Sequence, residues 1–445
     1  MRSEFRMYFR WFTMFASTQV ERPMITHLHD HQFDSTYARL VELLGDKPWL
    51  KATRDHAQQF AANPLSEIHI THDNRVAYGL AYFDKLGMTL QDTDRWSTVV
   101  HALTFAAQVC ELASKAIEDA SKTSYIKRVI GAFKNPHDMR ALAFEHLTAL
   151  SLYKQGATIF WPDESTGTGT YDLLVTTQEG IEFEVECKSN SPDKGRAITV
   201  EESTGFFNRL LPRLPVSQQA GEAFLLKVSI PGRLPKSIPD LDLLVAEVLE
   251  ACNANTCETE GGLFIDRRVM NAPFLLQSTS DLILQTGITT LADEAFGAAE
   301  GYRLIAVRNR SAICLEISSG REARIFKAMW ETAKHAVQNQ MTGNRPGCLV
   351  MRLEGLKRAE MVRLAEEAPS PLLVFATKVL SDPRHQHLAC VAFISGSDVV
   401  QIGDTQQTEQ SVSYVVDQRD GPHAKLRIGR LMRGEQQSDE MKRTT

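Results

Sequence analysis

The chain lacks the long hydrophobic runs, the paired cysteines and the excess positive charge that mark several large classes of protein. Its aromatic N-terminal segment is interrupted by Arg10, and no other stretch is apolar enough to suggest a bilayer span. A formal net charge of −6 argues against nonspecific coating of nucleic acid. Seven scattered cysteines, an odd number, favour reduced thiols and a cytoplasmic location.

The motifs of many nucleotide-dependent and nucleophilic enzymes are also missing. The sequence contains no P-loop, dinucleotide-binding glycine fingerprint, nucleophile elbow or kinase motif set. It has no helicase motor, so any ATP-driven movement would require a separate partner. Cys252 and Cys257 are the only close pair of cysteines, and nothing beside them completes a zinc site. A chain of 445 residues is expected to form two or three globular domains.

What the chain does contain is a β-hairpin with an unusual set of charges. Residues 171–177 are rich in β-formers, and residues 181–189 alternate between apolar and polar side chains. The intervening Gln178-Glu179-Gly180 can form a three-residue turn, with Gly180 free to adopt a positive φ. With that turn, residues whose numbers sum to 358 are cross-strand partners.

This register brings three charged side chains to one face of the hairpin. Asp172 lies opposite Glu186, with Cβ atoms roughly 5 Å apart, and Lys188 shares their face. Two opposed carboxylates repel each other unless a cation lies between them. Mg²⁺ typically takes one or two carboxylates together with water and phosphate oxygens, and Lys188 could hold a water or a phosphate. The simpler alternative is a solvated hairpin face, since Glu and Lys are common on exposed strands.

The elements around the hairpin are predicted to follow the order α-β-β-β-α-β. Asn135-Pro136 resembles a helix start, and Gly156 resembles a stop signal. The predicted segments, besides the two hairpin strands, are a helix over 138–154, a strand over 157–161, a helix over 200–211 and a strand over 223–230.

This order, with Asp172 and Glu186-Cys187-Lys188 on the second and third strands, resembles the PD-(D/E)xK nuclease superfamily and its restriction-endonuclease-like fold. The resemblance covers roughly residues 136–232. It implies that Asp172 and Glu186 bind Mg²⁺ or Mn²⁺ and that Lys188 positions the attacking water. Many members also carry an acidic residue on the first helix, which makes Glu145 a further metal-binding and catalytic candidate, although an exposed helical glutamate is an equal alternative. The chain departs from the motif at Tyr171, where the family often has proline.

Basic residues near the hairpin are candidates for contacts with a nucleic acid. Lys194 and Arg196 lie in the polar loop that follows the motif, and Arg209 lies on the next predicted helix. A second group, Lys122, Lys127, Arg128 and Lys134, precedes the predicted core. For both groups an ordinary solvated surface is the alternative.

The resulting prediction is an α/β protein with a restriction-endonuclease-like αβββαβ core, an N-terminal helical region and a C-terminal α/β domain. The predicted parts are a poorly defined segment at 1–33, a helical domain at 34–135, the core at 136–235, an α/β domain at 236–432 and a disordered tail at 433–445. Within 236–432, strands are expected at 371–378 and 388–394, and a hairpin is expected around Asn309-Arg310.

The function expected from the resemblance is that of a cytoplasmic Mg²⁺-dependent endodeoxyribonuclease. DNA is the expected partner, RNA is left open, and a homodimer or a separate ATPase or specificity subunit fits the same resemblance. Two alternatives remain: a catalytically silent nuclease fold that binds nucleic acid or assembles with proteins, and an unrelated α/β binding protein.

Overall fold

The structure is a computed structural model of the 445-residue chain. It describes residues 10–11, 28, 30–62, 70–71, 73–90, 95–115, 117, 119–162, 171–191, 193–214, 219–277, 281–396, 398–402 and 406–433. Most of the predicted segment 1–33 and nearly all of the predicted tail at 433–445 lie outside these residues. In the part of the chain that is described, every helix is too short or too polar to cross a lipid bilayer.

The described residues form a mixed α/β protein, as predicted. The helices are α1 (Phe33–Leu44), α2 (Pro48–Ala62), α3 (Arg75–Leu86), α4 (Trp96–Lys115), α5 (Asp119–Ala132), α6 (Pro136–Lys154), α7 (Val200–Leu210), α8 (Ile238–Ala254), α9 (Phe274–Gln277), α10 (Asp281–Phe296), α11 (Ile325–His335), α12 (Arg358–Glu366), α13 (Pro371–Leu380) and α14 (Gly429–Arg433). The strands are β1 (Arg10–Trp11), β2 (Thr158–Phe160), β3 (Leu173–Thr176), β4 (Glu182–Asn190), β5 (Glu222–Ile230), β6 (Phe264–Asn271), β7 (Tyr302–Arg308), β8 (Ser311–Ser319), β9 (Gly347–Leu353), β10 (Leu388–Ser395), β11 (Asp398–Ile402), β12 (Gln406–Gln410) and β13 (Val412–Asp417).

The chain divides into two compact units, each assembled from separated segments. Unit 1 comprises Met1–Pro48, His101–Lys194 and Ile325–Thr445, and unit 2 comprises Trp49–Val100 and Gly195–Arg324. The chain therefore leaves unit 1 after the hairpin and returns to it 130 residues later. The predicted core at 136–235 and the predicted domain at 236–432 are both divided between the two units.

Unit 1 contains a seven-stranded sheet in the order β1-β13-β10-β9-β4-β3-β2. Strands β2, β3 and β4 form an antiparallel meander, and β4 then pairs in parallel with β9. Helix α6 packs on β2, β3 and β4, and α11 contacts β4. Within unit 1 these elements follow the chain order α6-β2-β3-β4-α11-β9, and the segment Gly195–Arg324 of unit 2 lies between β4 and α11 in the sequence.

Unit 2 contains a four-stranded sheet in the order β6-β5-β8-β7. This finding corrects the prediction that residues 223–230 extend the sheet of the acidic hairpin, because β5 pairs with β6 and β8 instead. Helix α7, predicted to belong to the same core, packs on α8 and β7 within unit 2. An apolar strand such as β5 can be buried in the sheet of unit 1 or in that of unit 2, so the order of elements in the sequence does not identify the strands with which β5 pairs.

A second correction concerns residues 371–378, which were predicted to form a strand. They lie in helix α13, which begins with Pro371 after the N-cap Ser370, whose side chain accepts a hydrogen bond from the Leu373 N–H at 3.3 Å. The β-branched and aromatic residues of this segment are typical of strands, but the cap and the burial of one helical face outweigh that preference. The hairpin around Asn309-Arg310 and the strand at 388–394 are confirmed as β7–β8 and β10.

The acidic hairpin has the predicted register. Leu173 pairs with Val185 and Thr176 with Glu182, so the paired residue numbers sum to 358 as expected. The turn closes with a 2.9 Å hydrogen bond from the Thr177 N–H to the Ile181 carbonyl, and Gly180 has a φ of +78°. The three-residue turn thus fixes which side chains of β4 lie opposite the residues at the start of β3.

Substitution of Gly180 tests whether this backbone conformation contributes to stability. A Cβ at Gly180 would meet nothing within 4 Å, so the strain of a left-handed backbone is the main effect of Gly180→Ala. We expect a loss of about 1 kcal/mol in the free energy of unfolding, measured by chemical denaturation. Gly131→Ala, at a helical position of unit 1 with equally open surroundings, should cause no loss. Equal effects of the two substitutions would contradict this explanation.

Candidate active site

The hairpin register places Asp172 directly before β3, at the position opposite Glu186. Its Oδ2 accepts a 2.7 Å hydrogen bond from the backbone N–H of Cys187, which ties the carboxylate to the neighbouring strand. A backbone donor of this kind restricts the carboxylate more tightly than a side-chain partner would. The structure therefore brings Asp172 and Glu186 together as the sequence predicted.

Glu186 and Lys188 project from the middle of β4. The Glu186 side chain is fully buried, and its Oε1 is ion-paired with Lys188 Nζ, although the two groups are not aligned as a regular hydrogen bond. Glu186 Oε2 has no hydrogen-bond partner among the described residues. A buried charged oxygen without a partner is costly, because it has lost its hydration and gained nothing in return.

Glu145 joins the hairpin from helix α6 and is a member of the same charged cluster. Its side chain is 3% exposed, and Oε1 accepts a 2.7 Å hydrogen bond from Arg128 Nη2. Its Oε2 finds no hydrogen-bond partner in the described part of the chain. The alternative of an exposed helical glutamate is therefore wrong for Glu145.

Arg128 is the residue of this cluster whose position the sequence did not reveal. It was expected only as one of several basic residues ahead of the core. The same Nη2 that contacts Glu145 lies 3.6 Å from Asp172 Oδ1, so one guanidinium spans two carboxylates. Its position depends on the packing of α5 on α6, which no local sequence pattern encodes.

Burial disfavours the ionisation of all three carboxyl groups, and Asp172 adds to this effect at Glu145 and Glu186. Burial raises the pKa of Glu145 well above its usual range, and the charge of Asp172 raises it further. Burial and then Asp172 raise the pKa of Glu186 to about 8, and burial raises that of Asp172. Burial alone would lower the pKa of Lys188, but Glu186 and Asp172 outweigh it and raise that pKa. The site thus has three carboxyl groups for two cations, and the raised pKa values show that their joint ionisation is penalised.

A buried glutamate in unit 2 provides a contrast. Glu316 lies on β8 opposite Arg303 of β7, just as Glu186 lies opposite Asp172. Arg303 donates to Glu316 Oε2 at 2.9 and 2.6 Å, and Lys227 Nζ lies 3.6 Å from the other oxygen. Arg303 also pairs with Asp293 at 2.7 Å. Glu316 Oε1 also lacks a hydrogen-bond partner among the described residues, so the two clusters differ in charge: Glu316 faces an arginine across the hairpin, whereas Glu186 faces a second acid.

The predicted nucleic-acid contacts have intramolecular partners in the structure. Lys194 is the last residue of the segment His101–Lys194 of unit 1, and its side chain contacts Thr332 Oγ1. Burial and then the charge of Lys188 lower the pKa of Lys194. Arg196 stacks over the Tyr302 ring at 5.4 Å, and Arg209 donates to both oxygens of Asp242 at 2.9 and 3.1 Å, all within unit 2. Their binding of nucleic acid stays a prediction.

The donor atoms of the site suit a hard divalent cation. Asp172, Glu186 and Glu145 offer only carboxylate oxygens, and three of these, Glu145 Oε2 and both oxygens of Glu186, lack hydrogen-bond partners among the described residues. As it stands, however, no group of three or more His, Cys, Asp or Glu side chains within the described ranges is arranged to hold a metal ion. Arg128 and Lys188 contact the carboxylates instead. Mg²⁺ needs only one or two carboxylates when water and phosphate supply its remaining ligands.

Comparison of the chain with protein-family models, curated proteins and solved structures gives no match.

The raised pKa of Glu186 predicts a particular pH dependence of stability. A carboxyl whose pKa is higher in the folded than in the unfolded protein contributes stability fully below the unfolded value of 4.5. That contribution is lost as the pH rises through the folded value of about 8. In the presence of EDTA, the melting temperature of Glu186→Gln should therefore change less than that of the wild type between pH 5 and pH 8.5. If the free energies of unfolding of the wild type and Glu186→Gln change with pH by amounts that differ by about 1 kcal/mol, their changes in melting temperature should differ by roughly 2–4 °C.

Glu182→Gln is the matched control for this measurement. Glu182 lies on the same strand but is exposed, so its substitution should leave the pH profile of the wild type unchanged. Parallel profiles for the wild type and Glu186→Gln would show that burial of Glu186 does not penalise its ionisation.

Proposed function

We propose that the chain is a metal-dependent nuclease that hydrolyses phosphodiester bonds, with DNA as the substrate. The observation that carries the proposal is the convergence of Asp172, Glu186, Lys188 and Glu145 in one cluster, through the hairpin register that the sequence predicts. A solvated hairpin face does not account for it, since Glu145 and Glu186 are buried. The order α6-β2-β3-β4-α11-β9 also supports a restriction-endonuclease-like core.

In this proposal Asp172 and Glu186 hold Mg²⁺ or Mn²⁺, and Glu145 is a further metal ligand. A divalent cation at these oxygens supplies Lewis acidity toward the phosphate and lowers the pKa of water. The Cys187 N–H fixes the orientation of Asp172, so its carboxylate does not have to reorganise.

Lys188 provides the remaining chemistry. Its ammonium group, held beside Glu186 and 23% exposed, can orient the attacking water and stabilise the charge that develops on the phosphate. Its pKa is raised, so the group stays protonated and donates hydrogen bonds rather than removing a proton.

A catalytically silent nuclease fold that binds nucleic acid is the second candidate. It is favoured by the contacts of Arg128 and Lys188, which already compensate part of the negative charge of the cluster. The presence of all three motif residues argues against it. A buried glutamate that only stabilises the fold can face an arginine, as Glu316 faces Arg303, whereas Glu186 faces a second acid.

Cleavage of supercoiled plasmid, linear duplex, single-stranded DNA and RNA by the purified full chain tests the proposal. With Mg²⁺ or Mn²⁺ we expect nicking or cutting of DNA, and with EDTA we expect none. Asp172→Ala and Lys188→Ala should each reduce the rate by about 100-fold or more, because each removes an interaction that acts in the transition state. Glu145→Ala should reduce it less.

The exposed Glu182→Ala is the control and should cut at the wild-type rate. Circular dichroism establishes that the variants are folded. Wild-type activity in Asp172→Ala or Lys188→Ala would contradict the site assignment. Metal-independent DNA binding without any cleavage would favour the silent fold.

A further inference from the structure

Arg128 occupies a position that the nuclease motif does not explain. It lies on helix α5, outside the segment that carries the resemblance, and its guanidinium bridges Glu145 Oε1 at 2.7 Å and Asp172 Oδ1 at 3.6 Å. Both carboxylates are largely withdrawn from solvent, with side chains 3% and 12% exposed. Interactions among such groups are weakly screened, so the charge of Arg128 acts strongly on both.

The oxygens that Arg128 contacts belong to two of the three carboxylates assigned to the metal. An oxygen that accepts a charge-assisted hydrogen bond from a guanidinium has less of its charge available to a cation on the same side. A divalent cation beside Arg128 would also be repelled by it. Arg128 and the cation are therefore alternative partners for Glu145 and Asp172.

The partial exposure of Arg128 lowers the cost of moving its guanidinium away from these carboxylates. Its side chain is 32% exposed, whereas Arg303, which bridges Asp293 and Glu316 in unit 2, is 7% exposed and held by both acids at 2.9 Å or less. Moving Arg303 would leave a buried guanidinium and buried acids without partners. Moving Arg128 toward solvent exposes a group that is already partly hydrated.

We propose that Arg128 is a built-in competitor of the divalent cation, which compensates Glu145 and Asp172 in the metal-free protein and must be displaced from them when metal binds. This inference rests on the proposed metal-dependent function and adds its regulation. Arg128 stabilises the carboxylate cluster in the metal-free protein, and the same contacts weaken metal binding. The nuclease would then load metal only when the cation concentration is high enough to displace the guanidinium.

The test is the affinity of the full chain for Mn²⁺, measured by isothermal titration calorimetry after removal of metal with a chelator. Arg128→Met should bind Mn²⁺ about tenfold more tightly than the wild type, because the competing partner has been removed. Arg128→Lys keeps the charge but cannot span two carboxylates as a planar fork does, so its affinity should lie between the two. The same Arg128→Met protein should melt at a lower temperature than the wild type in EDTA and recover when Mn²⁺ is added.

Lys127→Met is the matched control, since it removes one positive charge from the neighbouring exposed position of α5. It should bind Mn²⁺ as the wild type does. Equal affinities of Arg128→Met and the wild type, or equal gains in Arg128→Met and Lys127→Met, would overturn the proposal. If Arg128→Met does not fold in chelator, Arg128→Lys carries the comparison, and an affinity no tighter than that of the wild type would be the contradicting result.

Asp172→Asn separates this inference from the proposed function. Mn²⁺ binding by the wild type that is lost in Asp172→Asn, together with an unchanged affinity in Arg128→Met, would reject the role of Arg128 and leave the metal site standing. Absence of Mn²⁺ binding in the wild type, or binding that survives in Asp172→Asn, would reject both.

Discussion

Burying Asp172, Glu186 and Glu145 beside one another costs free energy, and most features of unit 1 near the hairpin can be understood as responses to that cost. Loss of hydration raises the pKa of each carboxyl, and the charge of Asp172 raises the pKa of Glu145 and of Glu186 further. Lys188, Arg128 and the Cys187 N–H offset part of the penalty. Oxygens of Glu145 and Glu186 nevertheless lack hydrogen-bond partners within the described residues. Buried carboxylates without partners are typical of functional sites, because a bound ligand can offset the free energy that their burial costs.

Unit 2 shows how the same chain stabilises a buried acid when no ligand is needed. Arg303, at the cross-strand position that corresponds to Asp172, donates two hydrogen bonds to Glu316 Oε2, and Lys227 lies 3.6 Å from Oε1, which has no hydrogen-bond partner among the described residues. The residue opposite the buried glutamate therefore distinguishes the two clusters: it is Arg303 in unit 2 and Asp172 in unit 1. This difference gives the nuclease proposal its physical basis and makes the bridging contact of Arg128 informative about how metal is admitted.

The sequence was sufficient where the interactions are local and failed where they are distant. The register in which paired residue numbers sum to 358 follows from a three-residue turn and from strict alternation of apolar and polar side chains. Asp172 and Glu186 could therefore be paired from the sequence. The strand parallel to β4 could not be found in this way, because β9 follows it only after the whole inserted segment of unit 2. Strand β5 is apolar enough to suit either sheet, and it was assigned to the wrong one. Arg128 was missed as a member of the site because its place depends on how two helices pack.

The nuclease proposal requires that the carboxylates of Asp172 and Glu186 are held together for a divalent cation. Anomalous X-ray scattering from crystals grown with Mn²⁺ tests it most directly, since it locates the ion independently of any substrate or activity. We expect an anomalous peak within ligand distance of both carboxylates in the wild type and no peak there in Asp172→Asn. Crystals saturated with Mn²⁺ that show no peak at these carboxylates, or Mn²⁺ bound elsewhere on the chain alone, would contradict it.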